Sequence, residues 1–217
     1  MNKEIYSKVF TWLCLGLLIT FGVGYLTMLI AVNNLDFAKF IFGSGYFIIA
    51  IIEIVIAISL GARIHKMKGS TAKMLYIAYS ALTGLTFSSI FIVYNLTSII
   101  YVFLATAIIF GLFAFLGKTT NIDLSKIGIY LFMALLGIII LEVINIFWTN
   151  NNLNMLLCIV SLVVFVIYIA YDMQRIKRLA SSNLPEDNIA IIGAFDLYLD
   201  FINIFIRLLQ LFGRNDD

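Results

Sequence analysis

The sequence predicts an all-α integral membrane protein, one seven-transmembrane-helix bundle. Three observations predict it. Of the 217 residues, 63% are hydrophobic and only 12% charged, with a mean hydropathy of +1.07; a soluble domain holds about a quarter charged residues. The apolar residues fall in seven stretches of about 20 residues, enough to cross a hydrocarbon core about 30 Å thick at about 1.5 Å per helical residue. Beta-barrel alternation is absent from these stretches, so their backbone polar groups must be satisfied inside helices. This composition excludes disorder, a basic nucleic-acid-binding face and an ordinary soluble enzyme. A net charge of +2 implies no acidic partner.

A single domain over 1–217 is expected, with spans at about 9–32, 40–62, 74–94, 98–117, 126–148, 153–174 and 189–212. The first follows Lys3 and Lys8 and runs from Val9 to Val32 without a charge. It is too long for a signal h-region and lacks a small-residue cleavage site, so it reads as a retained span. Asn33 to Lys39 reads as a polar turn. The second span carries Glu53 and leads into the basic segment Arg63, Lys66, Lys68 and Lys73. The third has a polar seam of Ser80, Thr83, Thr86, Ser88 and Ser89. Asn95 to Thr97 turns the chain into the fourth, and Lys118 to Ser125 holds an Asn121–Asp123 turn. Glu142 lies in the outer third of the fifth span and Asp172 near the inner end of the sixth. Ser181 to Asn188 contains the only proline, Pro185, and reads as the start of the last helix. Gly16, Gly22, Gly24, Gly43, Gly45, Gly84, Gly111 and Gly117 are expected to let helices approach closely. Cys14 and Cys158 lie in apolar runs and read as small buried hydrophobes. His65 has no cysteine nearby and makes no zinc site.

Orientation follows from Lys and Arg. With the N-terminus inside, only Lys39, Arg207 and Arg214 of the fourteen basic residues fall outside, and the other eleven fall inside. Seven spans therefore place the N-terminus in the cytoplasm and the C-terminus outside.

A charge at mid-bilayer costs about 3 kcal/mol on insertion scales, so it faces the bundle interior or a water-filled cavity and marks function by default. Five acids meet this test: Glu53, Glu142, Asp172, Asp196 and Asp200. Arg207 is the one base well inside a span, and no lysine lies in a core, which removes a retinal Schiff base. In the last span Asp196, Asp200, Asn203 and Arg207 are spaced i, i+4, i+7, i+11, one polar stripe on a helix otherwise of Leu, Ile, Phe and Tyr. Such a helix belongs in the middle of a bundle with its stripe toward a cavity. The same spacing also fits a neutralised stripe in which Arg207 pairs with Asp196 or Asp200. Asp172 either pairs with Arg175 at the interface or meets Asp200. Two carboxylates in hydrogen-bonding reach at low dielectric share a proton, sense pH, and offer oxygens to a hard cation. Glu53 faces the cavity or snorkels. Glu142 takes part in transport, lines an outer vestibule or makes an interhelical hydrogen bond.

The segment Leu197-Tyr198-Leu199-Asp200-Phe201-Ile202-Asn203-Ile204-Phe205 closely resembles the last-helix signature of the Bax inhibitor-1 family, also called the transmembrane Bax inhibitor motif family. Tyr171-Asp172-Met173-Gln174-Arg175-Ile176 resembles its sixth-helix motif. Gly84-Leu85-Thr86-Phe87-Ser88 and the segment from Lys118 to Ser125 resemble its third-helix and fourth-loop patterns. The resemblance covers nearly the whole chain. It implies a seven-helix bundle with the last helix central. It implies a pH-sensitive calcium leak gated by Asp172 and Asp200, with Arg63 as the nearest match to a basic latch and Asp196 as an added acid. Calcium is then the transported ion and not a cofactor, with protons and the lipid bilayer as the other partners. Abundant Asn, Ile, Lys and Phe point to an AT-rich bacterial genome, hence a bacterial plasma membrane. No oligomeric state is implied.

Two other readings fit parts of the pattern. A non-conducting interaction protein that modulates a membrane protease is one, and it is compatible with a leak. An intramembrane aspartyl protease is the other, since Tyr171-Asp172 and Asp200 resemble its carboxylate pair. Leu197-Tyr198-Leu199 replaces its Gly-x-Gly, and Pro185 alone cannot supply its Pro-Ala-Leu motif, so no enzyme is expected.

Overall fold

The computed structural model describes residues 2–148 and 150–214; Thr149, in the expected turn from Thr149 to Asn152, lies outside them. The helices are α1 (Asn2–Asn33), α2 (Leu35–Phe42), α3 (Ser44–Arg63), α4 (Gly69–Val93), α5 (Leu96–Thr119), α6 (Gly128–Trp148), α7 (Asn151–Leu179) and α8 (Glu186–Phe212). All but α2 are long and apolar enough to cross a membrane.

Several helices outrun their apolar cores. α1 begins at Asn2, α4 at Gly69, and α7 ends at Leu179, because charged residues in a terminal turn are solvated beyond the hydrocarbon while the backbone ladder continues. One boundary differs in kind. The segment read as a polar turn, with the start of the second span, is the short helix α2. Asn34 caps it by accepting from the Phe37 N–H at 3.0 Å. At Gly43 the Lys39 carbonyl fills the place a Cβ would take, so the chain breaks there and the span restarts at Ser44. Pro185 precedes the first residue of α8, and its carbonyl accepts from the Asn188 and Ile189 N–H groups.

The helices fall into two compact units. The first comprises Met1–Leu96 and Leu179–Tyr198, among the described residues α1 to α4 and the first part of α8. Here α1 packs closely along α4. A Cβ at Gly84 would lie 2.7 Å from Val23 Cβ and 2.8 Å from the Thr20 carbonyl oxygen, so only a glycine admits α1. Gly16 and Gly24 are crowded in the same way, whereas Gly22 and Gly111 meet open space and serve no packing role. The second unit comprises Thr97–Arg178 and Leu199–Arg214, that is α6, most of α5 and α7, and the rest of α8. Gly117 admits Ala170, whose Cα would lie 2.5 Å from an added Cβ. Phe201 of α8 packs against Phe103 and Phe110 with ring centres 5.3 and 5.6 Å apart.

Of the seven spans, α8 is buried over most of its length, while the others expose most of theirs, chiefly Leu, Ile, Val and Phe. Those exposed apolar side chains suit lipid contact. Cys14 belongs to this exposed set and not to the interior, because it lies on the outward face of α1; Cys158 is buried as expected.

Candidate functional site

The repeat of buried positions on α7 runs through Cys158, Ser161, Phe165, Ile169, Asp172 and Ile176. That spacing of three and four residues puts Asp172 on the inward stripe of its helix. Asp172 is 5% exposed and Asp200, on α8, is 3% exposed. Among the described residues these two are the only Asp, Glu, Lys or Arg side chains that are buried, and both belong to the second unit. Burial disfavours the bare carboxylate relative to a protonated, paired or cation-bound one.

The rest of the expected stripe is less uniform. Asp196 and Asn203 are half-buried. Asn203 turns its amide back to donate to the Leu199 carbonyl at 2.7 Å, a bond within its own helix. Arg207 pairs with neither Asp196 nor Asp200. Its guanidinium bonds the carboxylate of Glu142 on α6, and it donates to Gln210 Oε1 at 3.2 Å. The Cys158 thiol donates to the Arg207 carbonyl at 3.3 Å. Glu142 thus makes an interhelical bond. The two side chains are 34% and 13% exposed, Glu142 and Arg207 respectively, so the pair is partly desolvated. The signal for it was present: one acid and one base, each inside a span, have few other ways to be neutralised.

In the first unit Glu53, on α3, is half-buried. Arg63 closes α3 as an exposed residue of that unit. A network that the sequence does not announce surrounds Tyr198. The Thr20 hydroxyl donates to the Ser80 carbonyl at 2.9 Å, so the Tyr198 hydroxyl donates to Thr20, 2.6 Å away. Tyr76 donates to the Trp12 carbonyl at 2.9 Å. The rings of Tyr76 and Tyr79 each stand edge-on to Tyr198 with centres 6.0 Å apart. Most of the third-span seam is satisfied within α4, where Ser80, Thr83, Thr86, Ser88 and Ser89 each donate to a carbonyl three or four residues back.

The polar ends are also built. In the first unit Lys8 pairs with Glu186, and Lys73 with Asp187 at 2.7 Å. The buried Asn188 amide donates to the Ile64 and Met67 carbonyls at 2.7 and 2.8 Å, holding the turn after α3 to α8. In the second unit Gln174 clamps the α5–α6 connection. Its amide donates to the Ile122 carbonyl at 2.8 Å and its carbonyl accepts from the Leu124 N–H at 3.0 Å.

Comparison with known proteins agrees with this architecture. The sequence profile of the family described as "Inhibitor of apoptosis-promoting Bax1" matches residues 2–217. The chain is 39% identical to the inner membrane protein YbhL of Escherichia coli, over 96% of this chain and 90% of the relative. It is 37% identical to an uncharacterized protein of Borreliella burgdorferi, over 100% of this chain and 95% of the relative. An uncharacterized membrane protein of Streptococcus pyogenes is 32% identical, over 99% and 94%.

Proposed function

The chain belongs to the Bax inhibitor-1 family and is a multi-pass membrane protein, and on that premise we propose that it is a pH-sensitive calcium leak in which Asp172 and Asp200 form the gate. The observation that carries this reading is their burial. Each is almost fully withdrawn from solvent within one compact unit, and no other charged side chain among the described residues is. Leaving both ionised and apart from water costs several kcal/mol. A shared proton removes one charge, and a hard cation held by carboxylate oxygens removes both. Protons and calcium therefore compete for the same oxygens, which makes passive flux depend on pH.

The membrane is a bacterial plasma membrane, with the N-terminus cytoplasmic and the C-terminus outside. The Lys and Arg distribution supports that orientation, and the likeness to an inner membrane protein of Escherichia coli supports the choice of membrane. A phosphatase fused to the C-terminus should be active only outside the cell, and an inactive fusion would reverse the orientation.

The test of the gate is calcium flux into proteoliposomes between mildly acidic and mildly alkaline buffer. The wild type should change its flux with pH. Asp172→Asn combined with Asp200→Asn should flatten that response. A double variant that keeps the wild-type pH response overturns the assignment.

A further inference from the structure

We propose that Glu142 and Arg207 form a charge-selecting port in the second unit, closed while the two are paired and open when they part. The pair lies on the accessible side of a helix that is otherwise buried. From Leu199 to Gln210, the residues of α8 that are not buried are Leu199, Asn203, Ile206, Arg207 and Gln210. Their spacing puts them on one face, as a single stripe. Its Asn203, Arg207 and Gln210 suit water and not acyl chains. The stripe passes Asp200, and Arg207 lies about 10 Å beyond that acid along the axis, at about 1.5 Å per residue.

Three helices meet at the pair. Glu142 comes from α6 and Arg207 from α8. The Cys158 thiol of α7 lies 3.3 Å from the Arg207 carbonyl oxygen and 3.6 Å from Gln210 Oε1. Two further atoms point to water in this part of the unit. Arg207 Nε is buried with no hydrogen-bond partner among the described residues, and so is the hydroxyl of Ser161, one turn along α7 from Cys158. Buried polar groups are nearly always satisfied, by ordered water where no protein group serves. Mutual neutralisation explains why an acid and a base inside spans would pair. It does not explain why they do so on the one accessible stripe of α8. While paired, the two charges cancel. Once parted, each presents a full charge to what enters, so that Glu142 draws cations and Arg207 repels them. That the port serves calcium rests on the function proposed above, and that it faces outside rests on the orientation; the charge selection rests on neither.

Cys158, buried against Arg207, reports on the port. The full chain carrying Cys14→Ser, in detergent micelles, is treated with a cationic or an anionic methanethiosulfonate, the ethyltrimethylammonium and ethylsulfonate reagents. Rates are divided by those on the same chain unfolded in denaturant, which removes the intrinsic difference between the reagents. With the pair intact, Cys158 should react slowly with both. Arg207→Gln should favour the cationic reagent by about tenfold and Glu142→Gln the anionic one by about tenfold, the lower end of charge focusing in a cleft. Mere loosening of the bundle would admit both reagents alike. The same preference in both variants, no preference in either, or a Cys158 that reacts as fast with the pair intact as without it would overturn the port. Labelling needs no calcium, so the port and the leak fail separately. Opposite preferences in two variants whose calcium flux into proteoliposomes equals that of the wild type would keep the port and overturn its link to the leak.

Discussion

In the first unit the buried polar side chains are Thr20, Thr27, Ser80, Thr83, Ser88 and the amide Asn188; in the second they are Thr106, Ser161, Asp172 and Asp200. The first set is neutral and largely closed on nearby carbonyls. It gives α1 and α4 hydrogen bonds and close approach without any group that titrates near neutral pH. The second set holds two acids, and the same unit adds the Glu142–Arg207 pair. The fully buried polar set of the first unit is thus neutral, and that of the second holds the two acids on which the proposed gate rests.

The strongest way to break the comparison is to overpack each unit in turn. Gly84→Leu meets Val23 and the Thr20 carbonyl; Gly117→Leu meets the Ala170 backbone. Each should cost about 3 kcal/mol, since backbone cannot yield as a side-chain tip does. Hydrogen exchange in detergent micelles should rise in α1 and α4 for the first and in α5 and α7 for the second. If either substitution loosens both sets equally, the two units are one cooperative body and the division fails.

A smaller effect sharpens the role of charge in the second unit. Glu142→Ala leaves Arg207 partly buried without its partner and should cost about 2 kcal/mol, below the 3–5 kcal/mol of a fully buried pair because both groups retain some exposure. Glu142→Met with Arg207→Met should regain most of that stability in chemical denaturation. A double variant as weak as the single one would show that the pair contributes more than mutual neutralisation. In the first unit Tyr198→Phe removes one hydroxyl contact while Thr20 keeps its bond to the Ser80 carbonyl. About 1 kcal/mol should be lost, with no change in the pH response of calcium flux.

These cases also separate what the sequence carries from what it does not. Seven spans are legible because each must bury its backbone polar groups in about 20 apolar residues. Asp172 and Asp200 stand out because acids are rare inside such runs. The pairing of Arg207 with Glu142 was only half legible: both stand out as charges inside spans, but the i, i+4 pattern reports neighbours on one helix and is silent on the other helix that the long guanidinium reaches. Helix α2 was hidden for a different reason. Asn33, Asn34, Asp36 and Lys39 read as loop residues, yet Asn34 is a cap and the apolar Leu35, Phe37, Ile41 and Phe42 share a short helix. The Tyr198 hydroxyl network leaves no sequence mark, because a tyrosine in an apolar run looks the same with or without Thr20 beside it.

The smallest expected effect concerns the α5–α6 connection of the second unit. The hydroxyl and backbone N–H of Ser125 both donate to the Asp123 carboxylate, and they hold it below the usual carboxylate range. A group whose acidity is increased by folding contributes order above its ordinary value, about 3.9, and loses it as the pH falls through the lowered one. The Ser125 amide resonance should therefore titrate with a midpoint below that of a model aspartate, and the connection should stay ordered through the mildly acidic range in which the buried acids are proposed to gate flux. Asp123→Asn keeps an acceptor and should preserve the turn while abolishing that titration. A Ser125 midpoint at the ordinary value would show that Ser125 does not hold the carboxylate, and one raised into the mildly acidic range would put this turn in the same pH window as the gate and blur the division between a fixed frame and a titrating interior.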